Sequence, residues 1–403
     1  MAMKVLIADA FSKDQISDIE ALGLSVDYRP ELPAKEIAAN IAGVSVLIVR
    51  SKQVSAEVFE KSHALSLVIR AGAGVNTIDV AAASKRGVYV ANCPNQNAIA
   101  VAELAMGLVL SLDRRIADNV VTLRSGKWDK KTFSESRGLY GRTMGIIGLG
   151  SIGSETARRA QAFGMRVLAW SRSLTDARAR TLGYDRAPDL KSVFAHADVV
   201  SIHLPAAKDL KGFVNAELLA SMKPGAIFIN TSRADLVDQA ALLEAAKGGK
   251  IKVGVDVYAG EPEGGKADFA SELGKLPNVY GTHHIGASTE QAQEAIARET
   301  VRIVTTFVKE GTVPNCVNVA KKTPARCQLI VRHQDKVGVL ANVLDAIRQA
   351  GINAQEVENT VFEGAAAACC KIQLDHRPEP GVIEKILART EEIIFVNVVD
   401  LQP

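Results

Sequence analysis

Short apolar runs alternate with amphipathic stretches from the N-terminus to about residue 290. Runs at 5–8, 44–49, 67–69 and 88–91 suit buried strands, because a strand covered on both faces has no polar side to show. Between them, 13–22, 33–42 and 80–85 carry helical spacing. The same rhythm returns at 144–147, 167–170, 199–204, 226–231, 253–258 and 279–282, with helices expected at 216–222 and 239–247. Strands alternating with helices build parallel, doubly wound sheets. The second series predicts a sheet of six strands. Two longer periodic segments, 97–122 and 291–310, read as helices that carry the chain from one sheet to the other and back.

The rhythm changes after a break at 313–323, where Pro314, Lys321 and Lys322 precede Pro324. Strand 327–332, helix 337–350, strands 352–361 and 365–374, helix 381–389 and strand 393–401 then follow. That order, βαββαβ, predicts a small ferredoxin-like module.

One stretch carries a ligand signature. Gly148, Gly150 and Gly153 lie between the apolar run 144–147 and an Ala/Arg-rich helical segment, and 167–170 closes the unit. G-x-G-x-x-G between strand and helix is the dinucleotide fingerprint of the Rossmann fold. The first glycine permits the tight turn, the second lets the backbone approach a pyrophosphate, and the third lets helix and strand pack closely. The helix N-terminus adds free N–H groups for the phosphates. The expected organisation is a discontinuous, flavodoxin-like substrate-binding domain (1–98 and 288–315) around a dinucleotide-binding domain (99–287). A linker (316–325) then leads to the small module (326–403).

Composition narrows the partners. Hydrophobic content of 47% and charged content of 23% are those of an ordinary globular chain. A net charge of +3 gives no broad basic field, so nucleic acid is not an expected partner. The apolar stretch 98–112 carries Glu103 and is too short to span a bilayer, so no membrane is expected. The N-terminal run contains Asp9 and reads as a first strand, not a signal peptide. Cys93, Cys316, Cys327, Cys369 and Cys370 are odd in number and lack C-x-x-C spacing. Reduced thiols in the cytoplasm are the expectation.

Three polar residues follow successive strands of the second sheet: Arg233, Glu261 and His284. Parallel strands end on one edge, so the three can converge beside a nicotinamide. An Arg fork pairs the two oxygens of a substrate carboxylate. A His can take a hydroxyl proton near neutrality, and a Glu on its other nitrogen would fix the tautomer. With a cofactor to take the hydride, this set suits oxidation of a 2-hydroxy acid. Arg50-Ser51-Lys52 and Arg70 to Gly74 follow strands of the first sheet and suit an anionic ligand. His283 beside His284 raises the question of a metal, but strand neighbours face opposite ways and no cluster completes a site, so none is expected.

IVRS (48–51), RAGAGVNTID (70–79), NAIAVAE (97–103), GKWDKKTF (126–133), NTSR, DVYAGEP and HHIGAST give a chain that resembles the D-2-hydroxyacid dehydrogenase family over nearly its whole length. The resemblance implies catalytic roles for Arg233, Glu261 and His284. It implies substrate contacts at Arg50, Ser51, Arg70, Gly74, Asn97 and Lys130. Cofactor contacts are implied at Ala73, Gly148, Gly150, Ile152, Gly153, Ser171, Arg172, His203 and Leu204. The same holds for Thr231, Ser232, Arg233, Asp256, His284 and Gly286. The C-terminal module resembles an ACT domain, which implies L-serine as effector at His333, Asp335 and Asn353.

The activity implied is NAD(P)-dependent oxidation of 3-phospho-D-glycerate to 3-phosphohydroxypyruvate, the entry to serine synthesis, by a homodimer or homotetramer. An NADPH-dependent glyoxylate or hydroxypyruvate reductase is the alternative, and a non-catalytic dinucleotide sensor a second. Two departures from the family pattern stand out. His283 replaces the usual Pro before the catalytic His, and Ser171-Arg172 replaces the usual ribose-binding Asp. Without that carboxylate, NAD and NADP both stay open.

Overall fold

The computed structural model describes residues 3–205, 207–262, 266–320, 323–389 and 391–401. Lys321 and Lys322 of the expected linker lie outside the described residues. The first sheet is formed by β1 (Lys4–Ile7), β2 (Ser25–Tyr28), β3 (Val46–Val49), β4 (Leu67–Arg70) and β5 (Tyr89–Asn92). All are parallel, in the order β2-β1-β3-β4-β5. Every residue of β3 is buried, as its VLIV run predicts. The edge strand β2 adds to the expected set; it has only Val26 and Tyr28 as apolar residues and is partly exposed, so its pattern is faint. Residues 33–42 form two 3-10 turns, Ala34–Glu36 and Ala38–Asn40, in place of the expected helix. The Asn40 side chain donates to the Glu36 carbonyl at 2.9 Å, taking the acceptor a continuing helix would use.

The second sheet has seven parallel strands where six were expected: β6 (Thr143–Ile147), β7 (Arg166–Trp170), β8 (Asp185–Arg186), β9 (Val199–Ile202), β10 (Ala226–Asn230), β11 (Ile251–Val255) and β12 (Val279–Gly281). The additional β8 is two residues long, too short to show a pattern. The order β12-β11-β10-β9-β6-β7-β8 reverses between β6 and β9, and ligands bind parallel sheets at that reversal.

The expected helix 97–122 is two helices, Ala98–Arg114 and Ile116–Arg124, joined at Arg115 with φ 51°. The Arg115 guanidinium bonds Asp118 at 3.2 Å and lies 4.7 Å from the Phe133 ring centroid, contacts that hold this left-handed residue. Ala105, Leu108, Val109 and Leu112 of the first helix pack with Met144, Ile146, Ile227 and Ile229 of the second sheet. The helix Glu290–Glu310 returns to the first sheet, where Ile296, Ile303 and Val304 pack with Val5, Ile7, Val46 and Ile69. Residues 316–318, at the start of the expected linker, run along β5. Val317 donates its N–H to the Val90 carbonyl at 2.8 Å. Asn318 bonds both Val90 N–H and the Val88 carbonyl at 2.8 Å. Among the described residues no helix is long and apolar enough to cross a membrane.

Residues 319–403 form a separate compact unit. Its antiparallel sheet takes β13 (Cys327–Gln334), β14 (Ala354–Val361), β15 (Ala367–Leu374) and β16 (Ile393–Asp400) in the order β14-β15-β13-β16. Helices Val339–Gln349 and Pro380–Arg389 complete the βαββαβ order. Cys327, Leu329, Val331, Cys370, Ile372 and Leu374 alternate into a core with Val343, Ile347 and Ile386. That alternation gives the strands their one-sided pattern.

Candidate active site

The fingerprint glycines sit where the second sheet reverses. At Gly148, φ is 93° and a Cβ would stand 2.4 Å from the His203 carbonyl oxygen. At Gly153 a Cβ would meet the Gly148 carbonyl oxygen at 1.9 Å, so the helix Ser151–Ala162 touches the strand turn directly. Gly150 faces open space and begins that helix without a side-chain cap, leaving its first N–H groups free. Close, close and open is the cradle a pyrophosphate requires.

Two buried polar atoms beside this cradle have no partner among the described residues, His203 Nδ1 and Thr231 Oγ1. His203 bonds Ser201 Oγ through Nε2 at 2.9 Å, and burial pushes its pKa down to about 3, so the ring is neutral. Orphaned polar atoms in a buried crevice mark a place for a polar ligand. The glycine cradle and these atoms fit a bound dinucleotide. Ile152 and Leu204 flank the turn half-buried, and Ser232 Oγ ties the end of β10 to the Ile202 carbonyl at 2.8 Å. Beyond β7, Ser171 is half-buried and Arg172 is exposed, its guanidinium making neither a hydrogen bond nor an ion pair among the described residues.

The next two strands deliver a proton-transfer pair. His284 Nδ1 and Glu261 Oε1 are 2.6 Å apart, and the other carboxylate oxygen accepts from the Tyr258 N–H at 3.3 Å. Nδ1 is thus the bonded nitrogen and Nε2 faces away from the pair. His284 has φ 52°, a left-handed turn that an L-residue adopts only when its surroundings hold it there. The buried Asp256 carboxylate supplies that hold. It accepts from Thr282 Oγ1 at 2.5 Å and from the N–H groups of Ile285 and Gly286, each at 2.9 Å. Both Asp256 oxygens are therefore spent on the loop carrying His284. His283 is exposed, and no group of three His, Cys, Asp or Glu able to hold a metal occurs among the described residues.

Three guanidinium groups sit at the ends of β3, β4 and β10. Arg233 Nη1 donates to the Ser232 carbonyl at 2.7 Å, and its Nη2 stands 2.9 Å from the point a Gly74 Cβ would occupy. Arg70 folds over Gly72, whose Cβ would fall 1.7 Å from Arg70 Nη1. Arg70 Nε is buried without a partner among the described residues. Burial, then the neighbouring Arg233 and Arg50 charges, push the Arg70 pKa down. Three clustered cations with an unsatisfied buried donor form a site for an anion. Ala73 lies in the same loop, its carbonyl bonded by the Asn92 side chain at 2.5 Å. Asn97 opens the helix Ala98–Arg114.

Not every expected residue joins this cluster. Lys130 is exposed on the short helix Lys130–Phe133, lining a groove with Trp128 and Phe133 that includes none of the three arginines. In the C-terminal unit, Asp335 and Asn353 are exposed, whereas His333 is buried with both ring nitrogens occupied, by the Gln334 carbonyl at 2.7 Å and Asn359 Oδ1 at 3.2 Å. One residue escaped the sequence reading: Asp9, buried behind the Arg50 loop. Its only signal is a carboxylate at the end of the apolar run 5–8.

Residues 106–286 match the family model for the D-isomer specific 2-hydroxyacid dehydrogenase NAD binding domain. The chain is 34% identical over 367 residues to D-3-phosphoglycerate dehydrogenase of Methanocaldococcus jannaschii, covering 91% of this chain and 68% of that one. It is 39% identical over 274 residues to hydroxypyruvate reductase of Thermotoga maritima, covering 67% and 87%. The crystal structure of the TT0316 protein from Thermus thermophilus superposes with a TM-score of 0.69 and 32% identity, covering 78% of this chain and all of that one. The chain spans 68% and 64% of the length of the phosphoglycerate dehydrogenases of Methanocaldococcus jannaschii and Archaeoglobus fulgidus. With two Rossmann-type parallel sheets, a glycine cradle between strand and helix and these relatives, the chain belongs to the D-isomer specific 2-hydroxyacid dehydrogenases and carries their NAD(P)-dependent fold and catalytic domain.

Proposed function

We propose that this chain interconverts 3-phospho-D-glycerate and 3-phosphohydroxypyruvate, the first step towards serine. The observation that carries the reading is the cluster of Arg50, Arg70 and Arg233, with Arg70 Nε buried and unpaired among the described residues. A monocarboxylate brings one negative charge to three cations; a phosphorylated 2-hydroxy acid brings about three. Relatives named D-3-phosphoglycerate dehydrogenase support the same substrate.

In the oxidative direction Arg233 holds the carboxylate by its fork. His284 Nε2 takes the hydroxyl proton, and Glu261 stabilises the imidazolium that results. The bound nicotinamide supplies the hydride acceptor. Asp256 keeps the His284 loop in place, and Arg50 and Arg70 hold the phosphate. Residues 1–98 with 288–315 form the substrate side, 99–287 the dinucleotide side, and the chain assembles as a homodimer or homotetramer. The C-terminal unit is an ACT-like sensor of L-serine, with Asp335 and Asn353 its exposed contacts and His333 a buried support.

A second reading is an NADPH-linked hydroxypyruvate or glyoxylate reductase. Arg172, exposed and unpaired among the described residues and next to Ser171, which replaces the family's Asp, favours a 2′-phosphate. Rates with phosphohydroxypyruvate and hydroxypyruvate, each with NADH and NADPH and with or without serine, separate the two. Preference for the phosphorylated acid and inhibition by serine are expected. Efficient use of hydroxypyruvate alone would favour the second reading. His284→Ala should lower turnover by roughly a thousandfold or more while retaining cofactor binding, as loss of a general base requires. A non-catalytic sensor would show no turnover in the wild type either.

A further inference from the structure

The first sheet has its own reversal. Its order β2-β1-β3-β4-β5 changes direction between β1 and β3, and the crevice there is the ligand position of such sheets. Asp9 follows β1 and Arg50-Ser51-Lys52 follows β3, so the two face each other across that crevice. Asp9 Oδ2 accepts the N–H groups of Arg50 at 2.7 Å, Ser51 at 3.0 Å and Lys52 at 3.2 Å. Asp9 Oδ1 accepts from Ser51 Oγ at 3.2 Å. The carboxylate is only 8% exposed, and among the described residues no basic side chain forms an ion pair with it.

Three successive N–H groups aimed at one point form an anion nest. In many sheets such a nest holds a ligand phosphate; here the chain's own carboxylate fills it. Two consequences follow for the loop. Its main-chain N–H groups are occupied, so an anion beside it must be bound by side chains. The Ser51 hydroxyl has one proton, and that proton is directed at Asp9. Its remaining lone pairs repel an anion, which removes the side chain of Ser51 from the donors available to a phosphate. Arg50 is left as the loop's cation. Its side chain lines a cavity of about 420 Å³ together with Phe11, Ser12, Ala71 and Gln293, and Glu290 and Glu294 line the same cavity, so Arg50 is the cation that an entering anion meets there. Lys52 is held elsewhere, its Nζ 2.5 Å from the Pro30 carbonyl.

We infer that Asp9 is a positioning residue for substrate selectivity: by filling the nest of residues 50–52 it fixes the loop in the one conformation that presents Arg50 to the substrate's distal anionic group. The inference rests on the substrate class proposed above. Asp9 touches neither the reacting carbon nor the His284 pair and acts through the loop alone.

The test compares wild type, Asp9→Asn and Ser51→Ala on phosphohydroxypyruvate and on hydroxypyruvate. Asp9→Asn keeps the shape but loses the charge that orders three donors, so KM for the phosphorylated acid should rise roughly tenfold, the scale of a charge-assisted bond. KM for hydroxypyruvate, and kcat for both acids, should stay within about threefold, because the transition-state contacts are elsewhere. A loss of general structure would move both acids together, and that outcome, or an unchanged KM for the phosphorylated acid, would overturn the proposal. Should Asp9→Asn show no cooperative melt, Ser51→Ala carries the test. It removes one of four donors and should shift the same selectivity by about threefold; equal effects on both acids would again overturn it. Wild type that turns over hydroxypyruvate and ignores the phosphorylated acid would instead refute the proposed substrate, and the role of Asp9 with it. That failure is visible before any variant is made.

Discussion

His203 stays neutral because burial strips solvent from its charged form, and its pKa falls from an ordinary 6.5 to about 3. The sign of the consequence is fixed. Above pH 6.5 neither folded nor unfolded chain binds the proton, and the group contributes nothing to pH dependence. Below it the unfolded chain takes the proton and the folded chain does not, so stability falls as pH drops from 6.5 towards 3. The slope is at most about 1.4 kcal/mol per pH unit, which makes the loss about 2 kcal/mol at pH 5. His203→Gln keeps a polar partner for Ser201 without a titrating ring. Its stability, from denaturant melts between pH 7 and pH 5, should fall by about 2 kcal/mol less than that of wild type. Parallel curves would show that His203 charges freely in the folded chain. The strand-end positions of Arg233, Glu261 and His284 were legible in the sequence, because each follows an apolar run that had to be a buried strand. Asp9 was not. Its partners lie 41 to 43 residues away, and no local pattern announces a contact between two strand ends. The left-handed backbone of His284 was equally hidden, being imposed by Asp256 through bonds that span 26 to 30 residues.

At the scale of the element, the three fingerprint glycines are not interchangeable, although the motif writes them alike. A Cβ at Gly153 would overlap the Gly148 carbonyl, which would push the helix Ser151–Ala162 off the sheet. Gly153→Ala should therefore destabilise the fold itself, by about 1–3 kcal/mol as overpacking does. Gly150 faces open space, so Gly150→Ala should melt as wild type does. It should still weaken dinucleotide binding by roughly tenfold or more, because the added methyl occupies the line of approach to the backbone. Calorimetric melts with and without NADH check both halves; a destabilised Gly150→Ala, or one with normal affinity, would contradict the assignment. Elements with strong two-sided burial, such as β3 and β10, were legible to within a residue or two. The edge strand β2 and the two-residue β8 were not, since each has too few buried positions to leave a pattern. The break at Arg115 was hidden for a different reason. Helical composition continues through it, and the left-handed turn depends on Asp118 and Phe133.

For the whole molecule, the two compact units divide at residue 318, not at the prolines that mark the composition break. The reason is Asn318. Its side chain bonds the Val90 N–H and the Val88 carbonyl, and the Val317 N–H bonds the Val90 carbonyl, so residues 316–318 seal the edge strand β5. A chain ending at residue 318 keeps every one of these bonds and both parallel sheets. The unit beyond it has its own core, from Cys327 to Ile386. The chain ending at 318 should therefore fold, melt cooperatively and bind dinucleotide, and under the proposed function it should lose any response to serine. A chain ending at residue 314 also loses the bond from the Asn92 N–H to the Asn315 carbonyl at 3.4 Å, and should be less stable than this one by about 4 kcal/mol, about one for each of the four hydrogen bonds lost along this edge. Denaturant melts of the two truncated chains measure that difference directly. If they are equally stable, residues 316–318 are a passive linker and the boundary belongs at the prolines; if the chain ending at 318 fails to fold, the independence of the first unit is wrong.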